Sequence, residues 1–326
     1  LTDTDKSYHR VLSCDYYSKT NLPTSDVSAM DGAVILKNEK MKKLKIIGES
    51  KAGDVKGIKI NNQECVLIYT GAPIDGKDKK VVPKENFETV NNHIHIKKVS
   101  TDSFVRKKGS DLIKDKKYLC KKSVMNIRSI VLARSMKIKK LKVFKKPKVF
   151  VICTGDEIIA SKNSKSVVET TNNIFIEYFV KLFGGEIVKI NFSRDNCNDF
   201  LRKFKSQKKF DLLITSGGIS KGKYDIVKKS LQKVGLNILF DRVAIKPGKP
   251  TTFGKFNQNK YFLGLPGNPV SCFVSLLNFL PIFINSFYGF NFVNFNLKEF
   301  SSKNFIENNT NLTQFKRVII KNNYLS

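Results

Sequence analysis

The sequence has no tryptophan, only three histidines and four methionines, and its 28 acidic residues are outnumbered by 59 basic ones. So few histidines leave little from which to build a His-based metal centre. His93 and His95 sit two apart in HIHIKKV, on one face of a predicted strand, and no further ligand accompanies them. We read them as ordinary surface histidines. The six cysteines (Cys14, Cys65, Cys120, Cys153, Cys197 and Cys272) include no CxxC pair. That spacing excludes a zinc ribbon and a small disulfide framework. It fits free, mostly buried thiols and a cytoplasmic, reducing location. No run of about 18 apolar residues occurs, so no membrane span is expected. The most apolar stretch, LGLPGNPVSCFVSLLNFLPIFI, is broken by Pro, Asn and Ser and reads as a buried strand, a turn and a helix. The chain opens on Leu without a signal-peptide pattern, and we expect the native chain to begin earlier.

What abounds is lysine. The formal net charge of +31 points to an anionic partner: nucleic acid, a membrane surface or a phosphorylated ligand. The lysines are scattered along the whole chain and not gathered in one stripe or arm. Lys, Asn, Ile and Phe are abundant together, as compositional drift in an AT-rich genome produces. We therefore expect no specific nucleic-acid partner and no membrane partner. The length allows two or three domains with real cores.

Residues from about Pro23 to Lys122 read as β-rich, with short apolar runs such as QECVLIYT and HIHIKKVS broken by Gly, Asn and Asp. Ser123 to Lys139 has apolar residues at roughly helical spacing, and Pro147 marks a boundary. Beyond it strands and helices alternate. KVFVICTG, EIVKINF and FDLLITSGG read as strands, and NNIFIEYFVKLFGGE, DFLRKFKSQ and DIVKKSLQKVG as helices. Such alternation predicts a parallel sheet with crossover helices, which binds ligands at the carboxyl ends of its strands. From about Phe290 the chain is rich in Asn and Phe, and TQFKRVIIKNN looks like one strand.

Three segments carry anion chemistry. In TSGGISKGKYD a strand delivers Ser216, Gly217 and Gly218 to its end, where glycines let backbone amides approach an anion and the next helix adds its dipole. Ser220 lies in the same turn, and Asp225 follows as a carboxylate for a metal or a proton. In IKPGKP two prolines and a glycine hold Lys246 and Lys249 close, an arrangement that an anion between them would favour. In GLPGNPVS, Pro266 and Pro269 rigidify a loop that opens a helix at about Val270, with Asn268 or Ser271 to cap it or bind an anion. Read singly, each of these also fits a plain turn, solvated lysines or a structural cap. Asp156 and Glu157 end the first strand of the sheet, and Asp31 lies in SAMDG. Carboxylates facing such loops suit Mg²⁺ held through phosphate oxygens.

Taken together these segments resemble the MoeA family, the molybdopterin molybdenumtransferases, which includes the gephyrin E domain. The resemblance runs in order through SAMDG (Ser28 to Gly32), YTGAP (Tyr69 to Pro73), RKKGSD (Arg106 to Asp111), CTGDE (Cys153 to Glu157), TSGGISKGKYD, KPGKP and LPGNPVS. It implies a multidomain α/β fold with a three-layer α/β pterin-binding domain at residues 147–290. It also implies a split first domain (1–23 plus 123–146), an inserted β-rich domain (24–122) and the start of a C-terminal β domain (291–326). A homodimer is implied, with a site shared between subunits.

The resemblance further implies a reaction in which adenylylated molybdopterin and molybdate yield molybdenum cofactor and AMP, assisted by Mg²⁺. Ser216, Gly217, Gly218 and Asn172 would cradle the pterin phosphate. Lys246, Lys249 and Ser271 would hold molybdate. Glu157 and Asp225 would bind Mg²⁺ or orient water, and Asp31, Thr70, Arg106 and Asp111 would come from the partner subunit. Asp195, in SRDN, resembles another acidic position of the family. The pattern is altered at three places: Ala33 follows Gly32 where the family has an aromatic, IDGKDKKVV departs in spacing, and Ser110 stands where Glu is common. The alternatives are a pterin-binding scaffold without catalysis and a molybdopterin adenylyltransferase.

Overall fold

The computed structural model describes residues 1–98, 100–156, 171–219, 226–257, 259–290, 298–299, 301–302, 307–308, 310–321 and 324–325. They form two compact units, Leu1–Val143 and Phe144–Ser326.

The first unit is built on six strands: β1 (Gly32–Leu36), β2 (Lys43–Ser50), β3 (Glu64–Ile68), β4 (Lys79–Pro83), β5 (Phe87–Val90) and β6 (His93–Ile96). They lie in the order β4-β1-β3-β2-β6-β5, and only β2 and β3 run parallel. Because successive side chains of a strand point to opposite faces, β1 feeds two cores. Ala33 and Ile35 join Leu44, Cys65 and Ile94 on one side, and Val34 joins Val66, Ile68 and Val81 on the other. The small side chain of Ala33 is wholly buried, so the altered SAMDG-AV run fits a close-packed strand. The amino-terminal residues pair with the end of the unit: Thr2 with Leu141, Leu12 with Val143, and Tyr16 with Leu119. Leu12, Leu119 and Leu141 bury together against α1 (Ile127–Ser135), which Asn126 caps by accepting from the Ser129 amide.

The second unit carries six further strands: β7 (Lys148–Thr154), β8 (Glu186–Ser193), β9 (Leu212–Ser216), β10 (Asn237–Asp241), β11 (Thr252–Phe256) and β12 (Lys260–Leu265). Their order is β8-β7-β9-β12-β11-β10. The helices are α2 (Asn172–Leu182), α3 (Cys197–Lys205), α4 (Ile226–Gln232) and α5 (Pro269–Phe287). Phe150 and Ile152 of β7 face a core shared with Phe200 of α3 and Val227 and Leu231 of α4. On the other face α2 and α5 pack together, burying Ile176 and Val180 with Cys272, Leu276, Leu280 and Ile284.

Two sequence expectations are corrected. The sheet is mixed, because β11 runs antiparallel to both β12 and β10. A parallel pair needs a crossover element, and residues 242–251 between β10 and β11 hold only the two-residue strand Ile245–Lys246, so they close as a hairpin. TQFKRVIIKNN forms two short strands, Thr313–Gln314 and Ile320–Lys321, not one. Helix α5 alone among the described residues is long and apolar enough to cross a membrane by length and composition, with a mean hydropathy of 1.8. It packs against α2 and β12 and buries six side chains, a third of that apolar stretch.

Candidate functional site

Register places the motifs of the second unit on one edge. Cys153 of β7, Ser216 of β9 and Leu265 of β12 are aligned across the parallel strands. The residues that follow each of them therefore emerge side by side at the carboxyl ends. Thr252, the first residue of the antiparallel β11, pairs with Gly264. The hairpin that carries Lys246 and Lys249 thus rises from the same edge as the Ser-Gly-Gly turn and the PGNP loop.

The Ser-Gly-Gly turn is compact for steric reasons. Gly217 and Gly218 have φ of +89° and +66°, where only glycine is unstrained. A Cβ on Gly217 would lie 2.5 Å from the Thr154 carbonyl oxygen, and one on Gly218 would lie 2.6 Å from Val227 Cγ2. The Gly217 amide donates to the Leu265 carbonyl at 3.0 Å. It is therefore engaged in holding two strand ends together, where the sequence reading assigned it to an anion.

Asn172 and Ser216 are buried, and their polar atoms meet. Asn172 Nδ2 donates to Ser216 Oγ and to the Gly267 carbonyl, both at 2.7 Å. Ser216 Oγ also lies 3.4 Å from the Pro266 carbonyl. These two residues, predicted to touch phosphate, join the turn to the PGNP loop. Asn268 caps α5, since its Oδ1 accepts from the Ser271 amide at 3.1 Å, and Pro269 takes the first helical position. Pro266 is buried, while Pro269 is exposed and Ser271 half-buried at the mouth of the helix. Lys246 and Lys249 are exposed and form no ion pair among the described residues. Asp156 and Asp195 meet on the neighbouring strand ends, where the Asp195 amide donates to Asp156 Oδ1 at 3.0 Å. Glu157, Ser220 and Asp225 lie outside the described residues.

Cys153 and Cys272 lie beneath this edge. Burial pushes both thiols up to about 12, so neither is a nucleophile at neutral pH. Ser216 Oγ lies 3.9 Å from Cys272 Sγ.

In the first unit the four predicted residues form two pairs. Asp31 Oδ1 accepts from the Thr70 amide at 2.7 Å and from its hydroxyl at 2.8 Å. These bonds, the backbone one foremost, hold the Asp31 carboxyl below its ordinary range. Arg106 contacts both oxygens of Asp111, at 2.8 and 2.6 Å, and Ser110 Oγ adds a bond at 3.2 Å. The Arg106 hydrogen bond is the main cause that lowers the Asp111 carboxyl. Arg106 pairs with Val27 in a short ladder, which sets it beside the SAMDG segment.

Sequence reasoning missed five residues: Thr154, which packs on both glycines, and the pairs Lys228–Asp241 and Thr251–Ser275 at the root of the lysine hairpin. A lysine and an aspartate 13 positions apart in a lysine-rich chain leave no pattern to read.

Comparison with known proteins assigns both parts of the chain to one family. Residues 1–136 match the MoeA N-terminal region (domain I and II), and residues 150–285 match the probable molybdopterin binding domain. A molybdopterin molybdenumtransferase of Haemophilus influenzae is 31% identical over 288 residues, covering 86% of this chain and 71% of that protein. Its namesake from Synechocystis is 29% identical over 304 residues, covering 89% and 78%. A molybdopterin biosynthesis MoeA protein from Pyrococcus horikoshii superposes with a TM-score of 0.70 at 28% identity, over 88% of this chain and 74% of that one. With both halves matched in order, the chain belongs to the MoeA family, the molybdopterin molybdenumtransferases.

Proposed function

We propose that the chain is a molybdenumtransferase that inserts molybdate into adenylylated molybdopterin, with release of AMP. The observation that carries this reading is the convergence, on one carboxyl edge, of the Ser216–Gly218 turn, the Pro266–Ser271 loop and the Lys246–Lys249 hairpin. The match of residues 150–285 to a probable molybdopterin binding domain supports a pterin as the ligand of this unit. The two loops, joined through Asn172, lie at the start of α5, where backbone dipoles favour an anion. Lys246 and Lys249 supply exposed positive charge for an oxyanion such as molybdate. Ser271, at the first turn of α5, adds a hydroxyl donor.

In a homodimer, Asp31–Thr70 and Arg106–Asp111 of one copy would complete the site of the other. Mg²⁺ is proposed to be held by Glu157 and Asp225. The described residues do not by themselves fit it, since they form no cluster of three or more His, Cys, Asp or Glu side chains. No step is drawn through the metal.

The test is AMP release from adenylylated molybdopterin, with and without molybdate and across a Mg²⁺ titration, for the wild type, Lys246→Ala and Asp225→Ala. Molybdate-dependent release that both substitutions abolish supports the reading. Pterin binding without release would replace it with a binding scaffold, and ATP-dependent adenylylation of molybdopterin with an adenylyltransferase.

A further inference from the structure

Lys228 is one of two buried lysines among the described residues, at 7% exposure. A buried ammonium requires partners. Its Nζ donates to both oxygens of Asp241, at 3.1 and 3.0 Å. Thr252, itself fully buried, donates through Oγ1 to Asp241 Oδ1 at 2.8 Å.

The location of this bridge gives it meaning. Lys228 stands in the first turn of α4, and the neighbouring Val227 amide donates to the Gly218 carbonyl at 3.2 Å. Asp241 and Thr252 are the last residue of β10 and the first of β11, the two feet of the hairpin that presents Lys246 and Lys249. Above the feet the hairpin is closed by Arg242 N–H to the Thr251 carbonyl and Val243 N–H to the Lys249 carbonyl, both 3.0 Å. On its other flank Thr251 Oγ1 meets Ser275 Oγ of α5 at 2.6 Å. The hairpin is therefore rooted between the helices that follow the two anion loops, and its charged foot is the one tied to α4.

We infer that the Lys228–Asp241–Thr252 bridge sets the position of Lys246 and Lys249 relative to the Gly217–Gly218 turn, making Lys228 and Asp241 positioning residues for the oxyanion site. The two lysines are exposed and form no ion pair among the described residues, so the backbone beneath them, with the ladder between Ile245–Lys246 and Thr313–Gln314, sets their spacing. A tilt of the hairpin at its feet moves both ammonium groups together, and a displacement of about 1 Å at a reacting centre costs up to about a hundred-fold. The inference rests on the reading in which these lysines hold molybdate.

The experiment compares wild type, Asp241→Asn, Thr252→Val and Lys228→Arg in the full chain, by amide hydrogen exchange and by the molybdate dependence of AMP release. Asp241→Asn is near-isosteric at a half-exposed carboxylate, and Thr252→Val removes one hydroxyl, so both are expected to fold. Exchange of the 242–251 amides is expected to quicken about ten-fold or more in Asp241→Asn, as loss of a charged hydrogen bond implies. Protection of β7 and α5 should stay unchanged. The molybdate concentration at half-saturation should rise between about ten- and a hundred-fold. Pterin affinity should hold, Lys228→Arg should behave as wild type, and Thr252→Val should fall between. Unchanged hairpin exchange overturns the inference, and so does quickened exchange with an unmoved half-saturation. If the wild type releases no AMP in response to molybdate, the functional reading falls, and hairpin exchange alone decides the positioning role.

Discussion

Asn172 holds Ser216 by a 2.7 Å hydrogen bond, and the same amide nitrogen reaches the Gly267 carbonyl at an equal distance. One side chain at the start of α2 thereby couples the end of β9 to the loop after β12. Both side chains are buried, at 4% and 2% exposure. Asn172 thus sets the Ser-Gly-Gly turn and the PGNP loop against each other.

Replacing Asn172 by Ala should cost about 1–3 kcal/mol, since it removes the hydrogen bond to the buried Ser216 hydroxyl and the tie to the Gly267 carbonyl. Urea unfolding measures the loss, and pterin fluorescence measures the accompanying fall in affinity. A variant as stable as wild type that binds pterin equally would show that the coupling is incidental.

Gly217→Ala introduces two faults at once. Its φ of +89° is unfavourable for alanine, and the new methyl would lie 2.5 Å from the Thr154 carbonyl oxygen. We expect destabilisation of at least about 2 kcal/mol. The methyl would also lie 2.8 Å from Thr154 Oγ1, but the nearer obstacle is backbone, so adding Thr154→Ala should recover little. In Gly218→Ala one close neighbour is Thr154 Oγ1, at 2.8 Å, so the same second substitution should recover part of the loss. Equal rescue at both positions would contradict this geometry.

Much of the edge was legible because it is local. TSGG, KPGKP and LPGNP each encode a turn through Gly and Pro, and alternating strands and helices place such turns at carboxyl ends. What could not be read is who meets whom. Asp31 and Thr70 are 39 positions apart and share two hydrogen bonds, and Lys228 finds Asp241 only because α4 packs beside a hairpin foot. The Gly217 amide was assigned to an anion because a turn's amides look free in sequence, and register gives this one to Leu265. The mixed sheet escaped for a related reason: a helix-free connection between two strands makes a hairpin, and the prolines and glycine of KPGKP mark a turn without showing which strands it joins.

The cysteines divide by burial. Cys65, Cys153 and Cys272 are buried, with thiols pushed up to about 12, while Cys120 is exposed and Cys14 and Cys197 are intermediate. Half are buried, fewer than the sequence reading expected. Alkylation followed by mass spectrometry at pH 8 should label Cys120 first, then Cys14 and Cys197, and reach the other three only on unfolding. Early labelling of Cys272 would mean that the start of α5 opens readily.

The Asp31 carboxyl lies below its ordinary value of 3.8 because the Thr70 amide, and after it the Thr70 hydroxyl, donate to its charged form. A folded value depressed in this way contributes stability that is fully present above the unfolded value and is lost as pH falls through the folded one. The window is therefore acidic, and at neutral pH the bond between the two segments is complete. The Thr70 amide proton should report it directly, with an NMR shift that titrates with a midpoint below 3.8 in wild type and stays flat in Asp31→Asn. Thr70→Val removes the hydroxyl but keeps the amide. Its midpoint should rise toward 3.8 without reaching it, because the backbone bond is the larger cause. A wild-type midpoint at or above 3.8 would mean that Asp31 and Thr70 are not paired in solution.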